Sequence, residues 1–471
     1  MATVIDSKKA CAVNPLKMSQ PLGACYAFLG LADTMPMMHG SQGCTSFGLV
    51  LLVRHFKEAI PMQTTAMNEV STILGGMDNI EQALLNIKKR ANPALIAIAS
   101  TGLTETKGDD VDGYLRLIRA RHADTLAGTE VVYVSTPDYV GAFQDGWAAA
   151  VKALVTAFAR PADTRVAGRI GVLPGAHLTP ADLDELRELI EAFGLEPVLV
   201  PDLSRSLDGH IPDDFTPTTL GGATVDDIRG LATCEHVIGI GEQMRGAVDS
   251  LAANAGVPGT VFERLTGLAA TDALVALLMR LSGKPAPARL KRQRGQLLDA
   301  MLDGHFQLGG KRVAIGAEPD LLFALASLIH EMGGEVAAAV TTTHSPVLAR
   351  VPTAEVLVGD LEDLELRAAG CDLLLTHAHG RQAAARLGIP LMRVGIPQFD
   401  RLGAAHQLSV GYRGTRDLIF ALANLFLAHL HAHGPDDWPL LEAALAAARG
   451  TAPAGCGCSA PAETVIPIIP A

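Results

Sequence analysis

A short apolar run, a Gly or Pro turn and an Ala/Leu-rich amphipathic stretch recur along the chain from about residue 95 to residue 394. Parallel strands joined by crossover helices read this way, because a strand buried on both faces is continuously apolar and the helix returning over it is not. The runs predict strands at 95–100, 130–135, 169–173, 196–200, 236–240, 312–315, 335–340, 356–359, 373–376 and 390–394, with helices after most of them. Residues 179–193 carry a full set of helix signals: Thr179 as cap, Pro180 in the first turn, acids at 182, 184 and 185 near the positive end, and Gly194 as the stop. Aromatic residues are only 4% against 47 glycines, while 49% of residues are hydrophobic. That composition favours close-packed helices on parallel strands, an α/β class, over an aromatic-pinned all-β sandwich, and it excludes disorder throughout.

At 471 residues the chain has room for about three domains. Arg160-Pro-Ala-Asp-Thr and Gly283-Lys-Pro-Ala-Pro each precede a fresh strand pattern and mark the boundaries. The predicted units are 1–165, 166–285 and 286–401, then a helical segment at 402–450 packing back on the body and a Pro/Ala/Gly-rich tail at 451–471 expected to be disordered. The net charge of −12 leaves no basic surface for nucleic acid. The longest apolar stretch, at 418–430, is broken by Asn424 and His429 and falls short of the ~18 residues of a membrane span. Residues 1–9 are too polar for a signal-peptide core, so a cytoplasmic chain is expected. Seven cysteines, an odd and small number, fit a reducing compartment without a disulfide framework.

Cys11, Cys25, Cys234 and Cys371 read as buried or inert thiols. Cys44 differs because of its setting, His39-Gly-Ser-Gln-Gly-Cys44-Thr-Ser-Phe-Gly48. Gly40 and Gly43 let the backbone approach something closely, and Cys44 stands where a loop enters an apolar helix predicted at 47–56. A thiolate at a helix N-terminus is stabilised by free N–H groups and is the form that ligates iron; a buried thiol in a tight turn is the alternative. One cysteine cannot hold a cluster, and no neighbouring CxxC supplies others, so about three further thiolates must come from elsewhere in space or from another chain.

Other candidates are weaker. Gly239-Ile-Gly-Glu-Gln-Met-Arg-Gly246 misses the dinucleotide spacing and reads as a loop. His429, His431 and His433, like His377 and His379, lack a carboxylate or thiol at matching spacing and read as surface or cap residues. Cys456-Gly-Cys458 reads as part of the tail, and Gly380-Arg381, an anion-binding position in principle, as structural.

Several segments taken together carry a resemblance. Asn14-Pro-Leu-Lys-Met-Ser-Gln-Pro-Leu-Gly-Ala24, the Cys44 segment, Thr65-Ala-Met-Asn-Glu69, Leu74-Gly-Gly76 and Ser100-Thr-Gly-Leu-Thr-Glu-Thr-Lys-Gly-Asp-Asp110 resemble the nitrogenase component 1 family. So do Asp299-Ala-Met-Leu-Asp303, Gly310-Lys-Arg-Val-Ala-Ile315, Gly359-Asp-Leu-Glu-Asp363, Leu387-Gly-Ile-Pro390 and Gly395-Ile-Pro-Gln-Phe-Asp-Arg-Leu-Gly403. The resemblance implies three parallel-sheet α/β domains around a central groove, a heterotetramer of two α-type and two β-type chains, and an iron-sulfur cluster at each α/β junction. Cys44 matches a cluster-ligating cysteine, with Gly40, Gly43 and Ser19 as support for its loop.

The departures also inform. Ser19 and Gly102 stand where the catalytic β subunit of the family has cysteines. A serine oxygen is harder and less acidic than a thiolate, and glycine offers no ligand, so half of an eight-iron cluster cannot be built here. One thiolate from Cys44 and three from an α-type partner make a site suited to a [4Fe-4S] cluster. Within the family the segments 14–24 and 395–403 resemble the β-type subunits of the scaffold on which the iron-molybdenum cofactor is matured, whose precursor is held mainly by the α-type partner. The alternatives are a β-type subunit of an enzyme reducing dinitrogen, protochlorophyllide or chlorophyllide, and a metal-free three-domain module that binds small molecules. The resemblance further implies transient docking of an ATP-hydrolysing iron protein at Ile73 and Leu74, which otherwise read as core residues. No Gly-x-x-x-x-Gly-Lys-[Ser/Thr] occurs, so ATP is left to the partner.

Overall fold

The computed structural model describes residues 1–432; the predicted segment beyond 432, the side chains of His431 and His433, and Cys456 and Cys458 lie outside the described residues. The first strand, β1 (Thr3–Asp6), is followed by three groups. β2 (Thr34–His39), β3 (Gln63–Thr64), β4 (Leu95–Ser100) and β5 (Glu130–Val134) form one sheet in the order β3-β2-β4-β5. A second sheet takes β6 (Val166–Leu173), β7 (Glu196–Leu199), β8 (Cys234–Ile240) and β9 (Gly259–Phe262) in the order β7-β6-β8-β9. The third contains β10 (Arg312–Gly316), β11 (Glu335–Thr341), β12 (Glu355–Val358), β13 (Leu373–Thr376) and β14 (Leu391–Arg393), in the order β1-β12-β11-β10-β13-β14. All pairings are parallel, so the loops at the carboxyl ends of each sheet emerge on one edge, the edge where α/β proteins build sites.

Ten of these strands coincide with the predicted apolar runs to within a few residues; β1, β2, β3 and β9 do not follow from them. β1 corrects the expectation that residues 1–165 form one unit, because Thr3–Asp6 pair with Glu355–Val358 in the third sheet. β2 is fully buried yet contains Pro36, which argues against a central strand. The structure accommodates it because β3 pairs only with Met37 and Met38, leaving no ladder partner for Pro36 on that side.

Helices α1 (Gln20–Leu29), α2 (Gln42–Phe56), α3 (Glu69–Leu74), α4 (Met77–Ala91), α5 (Gly102–Lys107), α6 (Val111–Arg121) and α7 (Phe143–Phe158) surround the first sheet's part of the chain. α1 and α7 cross at two glycines. A Cβ on Gly23 would lie 1.8 Å from the Phe143 carbonyl oxygen, and one on Gly146 would lie 1.9 Å from that of Gln20. Beside this crossing Tyr26 packs on Trp147, Phe143 and Phe56, with ring centroids 5.0, 5.4 and 5.8 Å apart. The Gln20 amide donates to the carbonyls of Pro137 (3.1 Å) and Val140 (2.6 Å), tying the start of α1 to the loop after β5. The helix Pro180–Glu191 is capped by Thr179, as its sequence predicts. Residues 411–425 of the last helix, Gly411–Ala432, pack within the body: Ile419 meets Gly304, Tyr412 donates to Asp272 at 2.6 Å, and Arg413 pairs with Glu185 and Glu188.

The crossing generates a stability prediction. Gly146→Ala forces a methyl group into backbone and should cost more than about 2 kcal/mol, whereas Gly295→Ala, in a helix interior with open space at the Cβ, should gain about 0.5–1 kcal/mol. Thermal melts of the two variants should move in opposite directions.

Candidate functional site

β2 delivers the chain to the site. The His39 carbonyl accepts hydrogen bonds from the Thr101 and Thr104 hydroxyls at 2.9 and 3.3 Å. The Gly40 N–H donates to Thr65 Oγ1 at 3.0 Å, and the Gly40 carbonyl accepts from the Met67 N–H at 2.9 Å. A Cβ on Gly40 would lie 2.4 Å from Thr101 Oγ1, so glycine is required there. Gly43 is different: a Cβ would meet only Ser41 Oγ, at 3.9 Å, and no close approach within this chain explains it.

Helix α2 begins at Gln42, five residues before the predicted start, which places Cys44 inside its first turn. Ser41 stands at the N-cap but makes no side-chain cap bond; its Oγ lies 3.5 Å from Cys44 Sγ instead. Cys44 is exposed, as is Cys11, while Cys25, Cys234 and Cys371 are buried. Burial pushes the Cys25 and Cys234 thiols up to about 12, so neither is available as a thiolate near neutral pH.

Cys44 lines a cavity of about 620 Å³ together with Ser19, Thr101 and Asp138. Of the two positions without thiolates, Ser19 lines the cavity at the N-cap of α1 without a side-chain cap bond, and Gly102 opens α5 next to the lining residue Thr101. Asp138 was not foreseen from the sequence. Its Oδ2 accepts the Gly102 N–H at 3.2 Å, its Oδ1 is buried without a partner, and burial raises its pKa above the usual carboxylate range. Other lining residues come from the third sheet's loops, His377, His379, Arg381 and Phe399, and Lys17 lines the cavity as well. His377 accepts the His379 N–H at Nδ1, and its Nε2 is 3.3 Å from the Leu16 carbonyl, so this pair is a structural tie. Among the described residues no three His, Cys, Asp or Glu side chains gather as a metal site.

Exposed apolar side chains stand on α2 and α3. Phe47 is 75% exposed and Val50 54% on α2. Ile73 and Leu74 are 78% and 80% exposed at the end of α3, which corrects the core alternative for both. Gly241, in the run 239–246, has φ +95° and backs onto Asp320 Oδ2, which a Cβ would approach to 2.5 Å; the glycine serves close packing.

A second cavity of about 310 Å³ lies at the carboxyl ends of the strands, lined by residues such as Tyr26, Phe143, Gln144, His177, Glu318 and Gln398. Burial pushes Glu318 up to about 8, although its Oε2 accepts the Gln144 N–H at 3.3 Å. No local sequence signal marks this residue.

Comparison with known proteins extends the geometry. The profile of the nitrogenase component 1 type oxidoreductases matches residues 19–427. The chain belongs to the nitrogenase component 1 family. Among its relatives is the nitrogenase iron-molybdenum cofactor biosynthesis protein NifN of Bradyrhizobium diazoefficiens, 58% identical over 93% of this chain and 95% of that protein. The NifN of Rhodobacter capsulatus is 51% identical over 93% and 96%, and that of Nostoc sp. 47% over 91% and 96%. A solved structure of nitrogenase Cp1 at pH 6.5 superposes with a TM-score of 0.87 at 32% identity, covering 92% of this chain and 97% of that one. The three parallel sheets are therefore those of the nitrogenase component 1 fold, as the sequence resemblance implied.

Glu318 supplies a pH-dependent prediction. A carboxyl raised from 4.5 to about 8 on folding holds a proton that the unfolded chain has released, so its contribution to stability falls as pH rises through that window. Glu318→Gln should leave stability unchanged near pH 4.5 and raise it by on the order of 2–4 kcal/mol at pH 8, seen as a melting temperature that diverges upward from the parent.

Proposed function

We propose that this chain is the β-type subunit of a scaffold on which the iron-molybdenum cofactor of nitrogenase is matured, and that it shares a [4Fe-4S] cluster with an α-type partner, NifE, in an α2β2 assembly. The observation that carries this is the ligand arrangement: one exposed thiol in the first turn of a helix, opening on a cavity whose two flanking positions, Ser19 and Gly102, offer no thiolate. The relatives named for cofactor biosynthesis point the same way. Bound there, the cluster would supply one-electron transfer.

The residues present fit such a group. Cys44 would be the ligand from this side, and the remaining thiolates would come from the partner, since no second cysteine among the described residues lines the cavity. Gly40 holds the loop against Thr101, and Gly43 leaves the outer face of the first turn open to a close neighbour. The exposed Phe47 and Val50 form an apolar surface that the α-type chain would cover. Lys17 and Arg381 put positive charge on the cavity wall, which favours a cluster carrying net negative charge. Ile73 and Leu74 would receive the iron protein, NifH, which brings ATP chemistry that this chain lacks a motif for. The cofactor precursor is cargo held mainly on NifE, so the role in nitrogen fixation is assembly rather than substrate reduction. No helix among the described residues is long and apolar enough to cross a membrane, and we place the complex in the cytoplasm.

The complex purified with its α-type partner should be brown, and Cys44→Ala should remove most of the shared cluster's iron and its EPR signal while the two chains still co-purify. Unchanged iron and signal contradict the ligand assignment. Robust reduction of dinitrogen or a tetrapyrrole with iron protein and ATP would favour a catalytic subunit instead. Ile73→Asp should weaken iron-protein binding at least tenfold in a pull-down titration, about 1.4 kcal/mol or more, without altering iron content.

A further inference from the structure

The exposed Ile73/Leu74 pair and Cys44 sit on different elements, and one buried carboxylate stands between them. α3 ends at Leu74, and Gly75-Gly76 joins it to α4. The Gly76 N–H donates to Asp109 Oδ2 at 3.2 Å. A Cβ on Gly76 would lie 2.4 Å from His39 Cε1, so the joint rests directly on the His39 ring. His39 is fully buried at the end of β2, and its Nδ1 is 2.9 Å from Thr65 Oγ1, the hydroxyl that also receives the Gly40 N–H. The other side of Asp109 accepts from Lys107 Nζ at 2.6 Å, and Lys107 closes α5, the helix that begins at Gly102 beside the cavity. The segment carrying the exposed pair, the strand leading to Cys44 and the helix flanking the cavity therefore meet on one side chain that is itself 0% exposed.

One contact in this cluster is unfinished. His39 Nε2 is buried without a hydrogen-bond partner and lies 3.5 Å from Asp109 Oδ2, a few tenths of an ångström beyond the usual bonding range. Because Gly76 both donates to Asp109 and abuts the His39 ring, a small displacement of Gly75-Gly76 would close or open that contact. We propose that His39 and Asp109 are positioning residues that couple a protein docked on Ile73/Leu74 to the setting of the Cys44 loop. This rests on the docking and cluster assignments above, and adds the physical route between them.

The test uses the complex with its α-type partner, with and without the iron protein. In the parent, iron-protein binding should change hydrogen exchange across residues 39–48 several-fold and alter the EPR signal of the shared cluster. Gly76→Ala, Asp109→Asn and Lys107→Met should bind the iron protein with affinity within about threefold of the parent but lose most of both responses. Lys107 is partly exposed, so its substitution keeps the test valid if either buried variant misfolds. Responses equal to the parent's in the variants, or no response in the parent, overturn the relay. A parent without the cluster, or one whose iron-protein binding is indifferent to Ile73→Asp, overturns the functional assignment instead.

Discussion

The site hangs on a clasp of hydroxyl groups around two residues. The His39 carbonyl is held by Thr101 and Thr104, and Gly40 is held on both its polar atoms by the segment 64–67. Each such bond contributes only about 1 kcal/mol net, but their convergence fixes the exit of a buried strand whose backbone would otherwise be left unpaired. Cys44 is four residues beyond Gly40, in the first rigid turn after the clasp. Its position is thus inherited from β2, from α5 and from the 64–67 segment together.

Parallel topology explains why so many distant segments converge. Every strand runs the same way within its sheet, so the loops after β2, β4, β5 and β13 lie at carboxyl ends, and all four reach the Cys44 cavity. The Gly23/Gly146 crossing then draws α1 against α7 closely enough for Gln20 to grip the 137–140 loop. Ser19 and Asp138 come to the same cavity as a consequence. The cavity is lined largely by apolar side chains, among which the unpaired Asp138 oxygen and the cationic Lys17 and Arg381 are the charged exceptions.

Much of the fold was legible because burial on both faces writes a parallel strand into the sequence as an uninterrupted apolar run, as in β4, β10 and β13. β2 was not legible, since Pro36 and three methionines break the pattern, and β1 was not, since Thr3–Asp6 is a short edge strand with a polar end. At the site, Cys44, Ser19 and Gly102 could be singled out by motif, because backbone constraints and ligand chemistry fix residue types at those points. Asp138 and Glu318 carried no such mark, and Asp109 stood in the quoted segment 100–110 with no role of its own. Their environments are made by segments that approach only after folding, and an acidic residue in a loop looks the same in sequence whether it is solvated or buried.

The sequence by itself determined the α/β class, the acidic balance and the thiol at 44, which follow from local periodicity and residue chemistry, while the cysteines missing at 19 and 102 came from its resemblance to the family. Only the tertiary structure decided that Ser19 and Cys44 line one cavity with Gly102 hydrogen-bonded to its Asp138 wall, that Ile73 and Leu74 face outward, and that β1 belongs to the third sheet. The reason is geometric. Local sequence sets which face of an element is apolar, but which loops meet, and which carboxylates lose their water, depends on how sheets far apart in the chain are packed together.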